Sequence, residues 1–188
     1  MFDDHFVLLD TEYTANEHSW KNDWKGEHRE LVQIGLIGVD TPKLNALWEE
    51  QWYFKPTKNP QLSSYIKELT GITQHDIDTK GVPLGHALDW IERWTRGMPI
   101  YCYGKDGSVI RENCELQSIA CPIEAERFKD ICPTLAPIIR SFGSDPNDFS
   151  SGNLLTIFGL KGDRAHDALN DMRNLLRVLQ EFRKRGRL

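Results

Sequence analysis

The order of its apolar segments predicts an α/β chain with a mixed five-stranded sheet and helices on both faces. Three observations carry that expectation. Three strand-like runs come first, at 5–13, 30–40 and 46–56, the last two joined by a short turn, which points to an antiparallel meander. Helix-period and strand-like segments then alternate. The chain closes on a long amphipathic stretch, from about 167 to 184.

The first strand, HFVLLDTEY, has a continuous apolar stretch, as a strand buried on both faces requires. ELVQIGLIGVD is rich in β-branched residues, and ALWEEQWYFKP ends at Pro56. The intervening DTPKLN reads as a hairpin turn. QLSSYIKELTG stops on Gly71, a C-cap signal. PLGHALDWIERWTRG (83–97) opens on Pro and closes on Gly, with Leu84, Leu88, Ile91 and Trp94 at helical spacing. PIYCYG (99–104) and RFKDICP supply the last two strands, on either side of a helix over 106–120. Further helical segments fall near 133–142 and 153–159. SFGSDPNDFSSG (141–152) is rich in breakers but too short to separate two domains, so residues 1–188 are expected to form one domain. Trp48, Trp52, Trp90 and Trp94 are read as core or sheet-covering residues.

Composition narrows the class. With 188 residues, 39% hydrophobic and 27% charged, the chain can bury a sizeable core. No apolar run reaches the roughly 20 residues of a membrane span, so no membrane partner is expected. MFDDHFVLLD carries acids where a secretory signal carries Lys or Arg, and Cys102, Cys114, Cys121 and Cys132 show no CxxC pairing. A cytoplasmic protein with reduced thiols is the expectation. The net charge of −5 argues against a nucleic-acid partner, unless acids that hold divalent metals account for part of it. The basic run Arg183 to Arg187 reads as a solvated helix end.

Chemistry gathers at three places. In LLDTE, the two-residue strand period puts Asp10 and Glu12 on one face and Thr11 on the other. Two carboxylates at the end of a buried strand repel each other and are costly to desolvate, which a hard divalent cation such as Mg²⁺ or Mn²⁺ would offset. In RAHDALNDM, His166 and Asp171 are five residues apart, about 140° around a straight helix. They converge if the helix begins at about Asp167, its N-cap, and His166 lies on the loop before it. A histidine with a pKa near neutral there suits deprotonating a metal-bound water. In YCYGKDGSV, Asp106 follows a strand and opens a helix, where an Asp most often serves as a cap.

Taken together, D-x-E at Asp10 and Glu12, the mid-chain Asp106, and H-x-A-x-x-D at His166, Ala168 and Asp171 resemble the DEDDh (DnaQ-like) 3′→5′ exonuclease family. LTGIT (69–73) and NLLTIFGLKGDRAHDALND resemble its Eri-type and KapD-type branch, and the resemblance covers nearly the whole chain. It implies an RNase H-like fold. It implies two metal ions, Mg²⁺ or Mn²⁺, held by Asp10, Glu12, Asp106 and Asp171, with Asp10 bridging and His166 as general base. Hydrolysis from the 3′ end of RNA or single-stranded nucleic acid would release nucleoside 5′-monophosphates. Apolar residues near such a site cradle the terminal base, which nominates Leu69 and Ile72, with Thr70 toward the sugar. Thr11, Tyr13 and Tyr103 flank the acids and complete the substrate-contact candidates.

One segment departs from the compact family pattern. TANEHSWKNDWKGEHR (14–29) is long and polar and carries Trp20 and Trp24, which suggests either a loop that overhangs the site and stacks on single-stranded substrate or one that serves packing or a subunit contact. Two rivals are weighed. His166–Asp167 and His75–Asp76 also spell the dyad of HD-type metal phosphohydrolases, but those enzymes are all-helical. A fold kept as a binding module should have lost an acid or the histidine, whereas this chain has all five.

Overall fold

The computed structural model describes residues 2–19, 21 and 25–188. Trp20 and Trp24 lie outside the described residues. The elements run β1 (His5–Tyr13), β2 (Leu31–Asp40), β3 (Asn45–Phe54), α1 (Ser64–Thr70), α2 (Gln74–Lys80), β4 (Gly81–Val82), α3 (Leu84–Thr95), β5 (Ile100–Cys102), α4 (Asp106–Leu116), β6 (Phe128–Asp130), α5 (Cys132–Ser141) and α6 (Ala168–Lys184). Among the described residues the strands form one sheet in the order β4-β3-β2-β1-β5-β6. β1, β2 and β3 are the expected antiparallel meander, and β5 adds to β1 in parallel. This is the RNase H-like arrangement of mixed α/β layers.

The sheet has six strands rather than five. The extra one, β4, is two residues long and pairs parallel to β3, too short to show an alternation. The other addition is α2. Its sequence, QHDIDTK, has one buried apolar residue, Ile77, so no helical period is visible. Local capping holds it instead: the Thr73 hydroxyl accepts from Asp76 N–H, and the Asp76 carboxylate accepts from Thr73 N–H. The segment near 153–159 is a 3₁₀ helix, Leu154–Phe158, closed by Gly159 at φ 67°.

The period of β1 builds the two layers. Phe6 and Leu8 face α5 and α6, packing with Leu135, Met172, Leu175, Leu179 and Phe182. Val7 and Leu9 face α3 and α4, packing with Leu88, Ile91, Val109 and Ile110. Each such fully buried side chain contributes about 1.5–3 kcal/mol of transfer free energy. Trp48 and Trp52 on β3 meet Trp90 and Trp94 on α3, with adjacent ring centroids 4.2–5.3 Å apart, so the four cover the sheet as expected. Among the described residues no helix is long and apolar enough to cross a membrane.

One contact fixes where α6 begins. Gly35 on β2 is opposite Asp10 on β1, and a Cβ on Gly35 would sit 2.3 Å from the backbone nitrogen of Leu169. The first turn of α6 therefore rests directly on sheet backbone.

Candidate active site

Asp10, Glu12, Asp106 and Asp171 line one cleft of about 320 Å³, together with His166. Three elements deliver the acids. β1 ends with Asp10 and Glu12 on the same face. α6 places Asp171 in its first turn, over the same strand end. Asp106 opens α4, but it is not a side-chain cap: the capping position belongs to Lys105. Its carboxylate turns to β1 instead, accepting from the Thr11 hydroxyl at 2.6 Å and the Thr11 N–H at 3.1 Å. The four acids are 4–9% exposed.

His166 precedes α6, as the spacing required, with Asp167 as the N-cap accepting from Asn170 N–H at 3.0 Å. His166 takes the left-handed φ of 62°, and its backbone N–H donates to Asp171 Oδ2 at 3.3 Å. The turn thus sends an exposed imidazole toward the acids. One ligand atom each from Glu12, His166 and Asp171 lie within 4.8 Å of one another. A buried Gln33 holds this turn to the sheet. Its amide oxygen accepts from Ala168 N–H at 2.8 Å and its amide nitrogen donates to Asp167 Oδ2 at 3.1 Å, with Gln51 donating to the same oxygen.

The electrostatics are those of crowded, desolvated anions. Burial first, then the neighbouring carboxylates, push Asp10 well above the ordinary range. The same causes raise Glu12 to about 8. Asp171 is raised to about 7 by burial, and Asp106 to about 6 by burial that the Thr11 hydroxyl partly opposes. Asp171 Oδ1 is buried without a hydrogen-bond partner among the described residues, although Oδ2 accepts from Ser151 and from His166 N–H. A Cβ on Gly152 would come within 2.7 Å of that same Oδ1. Clustered hard oxygen donors and an orphaned buried carboxylate oxygen fit a divalent metal ion better than any internal partner. His166 moves the other way, held below its ordinary value by partial burial and then by Arg164.

The substrate-contact candidates divide. Thr11, Tyr13, Leu69 and Tyr103 line the cleft. Thr11 has its hydroxyl committed to Asp106. Thr70 and Ile72 are not on the wall. Both are buried, and Thr70 Oγ1 donates to Ile66 O while accepting from Ile72 N–H, which completes the end of α1. Arg29, Tyr65, Ile66, Lys105, Ser150 and Ser151 also line the wall, and none of them is among the residues expected from sequence. Tyr65, Ile66 and Leu69 share one face of α1 by their i, i+1, i+4 spacing, a signal that could have found them. Ser151 had none, since it comes from the breaker-rich loop. The HD dyads do not assemble a site: Asp167 is a helix cap, and Asp76 caps α2 and pairs with Lys80.

The family model for RNase T, described as an exonuclease, matches residues 7–179. The chain is 27% identical to rat 3′-5′ exoribonuclease 1 over 184 residues, 93% of this chain and 52% of the relative. It thus spans about half the length of that relative. Human ERI1 exoribonuclease 2 is 34% identical over 92 residues, 48% of this chain and 12% of its own. Among solved structures, the nuclease domain of 3′hExo, a DEDDh family member bound to rAMP, superposes with a TM-score of 0.79 at 22% identity, covering 97% of this chain and 93% of that one. E. coli Exonuclease I with a dA16 oligonucleotide gives 0.72 at 18% identity, over 97% of this chain and 41% of that one. With the match running through β1, α4 and α6, the elements that carry the acid cluster, this chain belongs to the exonuclease family.

Proposed function

We propose that the protein is a 3′→5′ exonuclease that hydrolyses RNA, or single-stranded nucleic acid more generally, to nucleoside 5′-monophosphates. The observation that carries this reading is the meeting of four buried carboxylates and one loop histidine in a single cleft, with one carboxylate oxygen left unpaired among the described residues. Relatives named as exoribonucleases favour RNA.

Asp10, Glu12, Asp106 and Asp171 would hold two divalent ions, Mg²⁺ or Mn²⁺. When bound, such ions neutralise the acids and stabilise charge that develops on the scissile phosphate. The chain's own residues do the rest. Partial burial and then Arg164 lower the His166 pKa, which favours the neutral imidazole, and His166 would take the proton of the attacking water. The Asp171 bond to His166 N–H keeps that turn over the cleft. Thr11 aims Asp106. Leu69, with Ile66 and Tyr65, offers an apolar face to the terminal base, and Tyr13 and Tyr103 offer aromatic surface nearby. A cavity of about 320 Å³ has room for one terminal nucleotide. A cytoplasmic location and a single catalytic domain over 1–188 belong to the same reading.

The test is a panel of end-labelled RNA and DNA oligonucleotides, with free or blocked 3′ ends, in Mg²⁺, Mn²⁺ or EDTA. Mononucleotide release that needs metal and stops at a blocked 3′ end is expected. Equal degradation of blocked and free ends would remove the 3′ polarity. No hydrolysis with any metal would leave the fold as a binding module.

A further inference from the structure

A second cleft, of about 350 Å³, lies between the first turns of α4 and β6, on the side of α4 away from Asp106. Lys105, Ser108 and Arg111 line it from α4 and its capping residue, and Phe128, Lys129 and Asp130 from β6. β6 is the edge strand, and the cleft runs along it from Ala125, just before it, to Asp130 at its end, with Cys102 and Gly104 at the end of the parallel β5. Three cations meet here in a chain of net charge −5. Neither Lys105 nor Lys129 has an ion-pair partner among the described residues. Arg111 makes one long bond, to Ile123 O at 3.4 Å. Against these three cations stands one lining acid, Asp130, whose Oδ1 accepts from Gly104 N–H and Cys132 N–H, so the cleft carries a net positive charge. The first turn of α4 adds its positive end.

The cleft adjoins the catalytic one. Lys105 lines both, and the first turn of α4 is their shared wall, with Asp106 on one side and Gly107, Ser108 and Arg111 on the other. A strand whose 3′ end lies among the acids meets a repulsive field there and gains from cations just outside it.

We propose that this cleft is a backbone subsite: it binds phosphates of the single-stranded substrate upstream of the scissile bond, through Lys105, Arg111 and Lys129 with Ser108 as a hydroxyl donor. This rests on the exonuclease reading, but binding alone can test it. The probe is a 3′-blocked single-stranded oligonucleotide of about 12 nucleotides, within the span one binding groove covers. Its affinity is measured in EDTA across a salt series. Lys129→Gln and the double variant Lys129→Gln with Arg111→Gln are compared with Lys184→Gln, which removes one positive charge at the far end of α6. The subsite variants should weaken binding several-fold, and the salt slope should fall by about 0.7 for each phosphate no longer neutralised, while Lys184→Gln does neither. In turnover, KM for the long substrate should rise with kcat unchanged, and a dinucleotide should be cleaved as by the wild type. Wild-type affinity and salt slope in Lys129→Gln and the double variant would overturn the subsite even if hydrolysis is normal. A reduced slope in a protein that hydrolyses nothing would keep the subsite and discard the exonuclease.

Discussion

Glu30 and Asp171 are both buried, at 1% and 4% exposure, and the fold treats them in opposite ways. Glu30 is surrounded by donors. The backbone N–H groups of Thr57, Lys58 and Asn59, the Thr57 hydroxyl and the Asn59 amide all reach its two oxygens at 2.6–3.0 Å. Burial alone would raise its pKa, but the N–H groups outweigh it and hold the acid below the ordinary range. Asp171 and its neighbours are raised, and Asp171 Oδ1 has no partner among the described residues. A buried acid that serves the fold is satisfied by the fold. A buried acid left with an unpaired oxygen is waiting for something the chain does not supply, and the crowding of four buried acids around it says that it carries positive charge.

Exchanging one carboxylate for its amide in each region should separate the two roles most sharply. Asp10→Asn is expected to lower exonuclease turnover by roughly 10³-fold or more, the several kcal/mol that metal-held charge supplies to such reactions. The same change should leave metal-free stability equal or higher at pH 8, because it removes one of several repelling charges. Glu30→Gln should do the reverse. An amide would face several N–H donors, so a loss of about 3 kcal/mol in urea unfolding is expected, with kcat nearly unchanged. Wild-type turnover in Asp10→Asn would remove Asp10 from the site.

The pH dependence of metal-free stability sharpens the comparison next. Glu12, Asp106 and Asp171 hold their protons to about 8, 6 and 7 when folded, whereas an unfolded chain releases them near pH 4. Over that window the folded state binds more protons, so stability should fall as pH rises from about 4 to about 8. Glu30 has the opposite sign: its contribution is present above the ordinary carboxylate pKa and is lost as pH falls. Thermal unfolding in EDTA should therefore show a Tm that declines toward pH 8, and Mg²⁺ or Mn²⁺ should remove most of the decline. A Tm that ignores both pH and metal would mean that the cluster is not a cation site.

The smallest effect is expected at Gln33, which belongs to neither cluster. Gln33→Leu deletes the bonds to Ala168 N–H and Asp167, at a cost of about 1–2 kcal/mol. It should also lower kcat by roughly tenfold with little change in KM, since a misplaced His166 turn affects chemistry more than substrate capture. Unchanged kcat with reduced stability would make Gln33 purely structural.

Much of the acid cluster is legible in the sequence because it rests on local periods. The strand repeat that turns Asp10 and Glu12 together, and the five-residue step that forces His166 off the start of α6, are properties of a few residues. Asp106 needs the family pattern, since nothing local distinguishes it from a cap, and its real partner, Thr11, lies 95 residues away. α2 and β4 escape because each is too short for a period to repeat. Ser151 and Gly152 escape because their importance is a matter of distance to Asp171, and distance across a fold has no local signature. Thr70 and Ile72 adjoin Leu69 in sequence, which points them toward substrate, but the helix end turns them inward.

Gly35 acts across the sheet. It stands opposite Asp10, and its missing side chain lets the first turn of α6, with Asp171, settle onto the strands. The spacing between the β1 acids and the α6 acid is thus gauged by an empty position, like a shim left out of a joint. A single methyl at residue 35 would jack the helix off its seat and widen the gap between the two jaws of the acid cluster without touching either one.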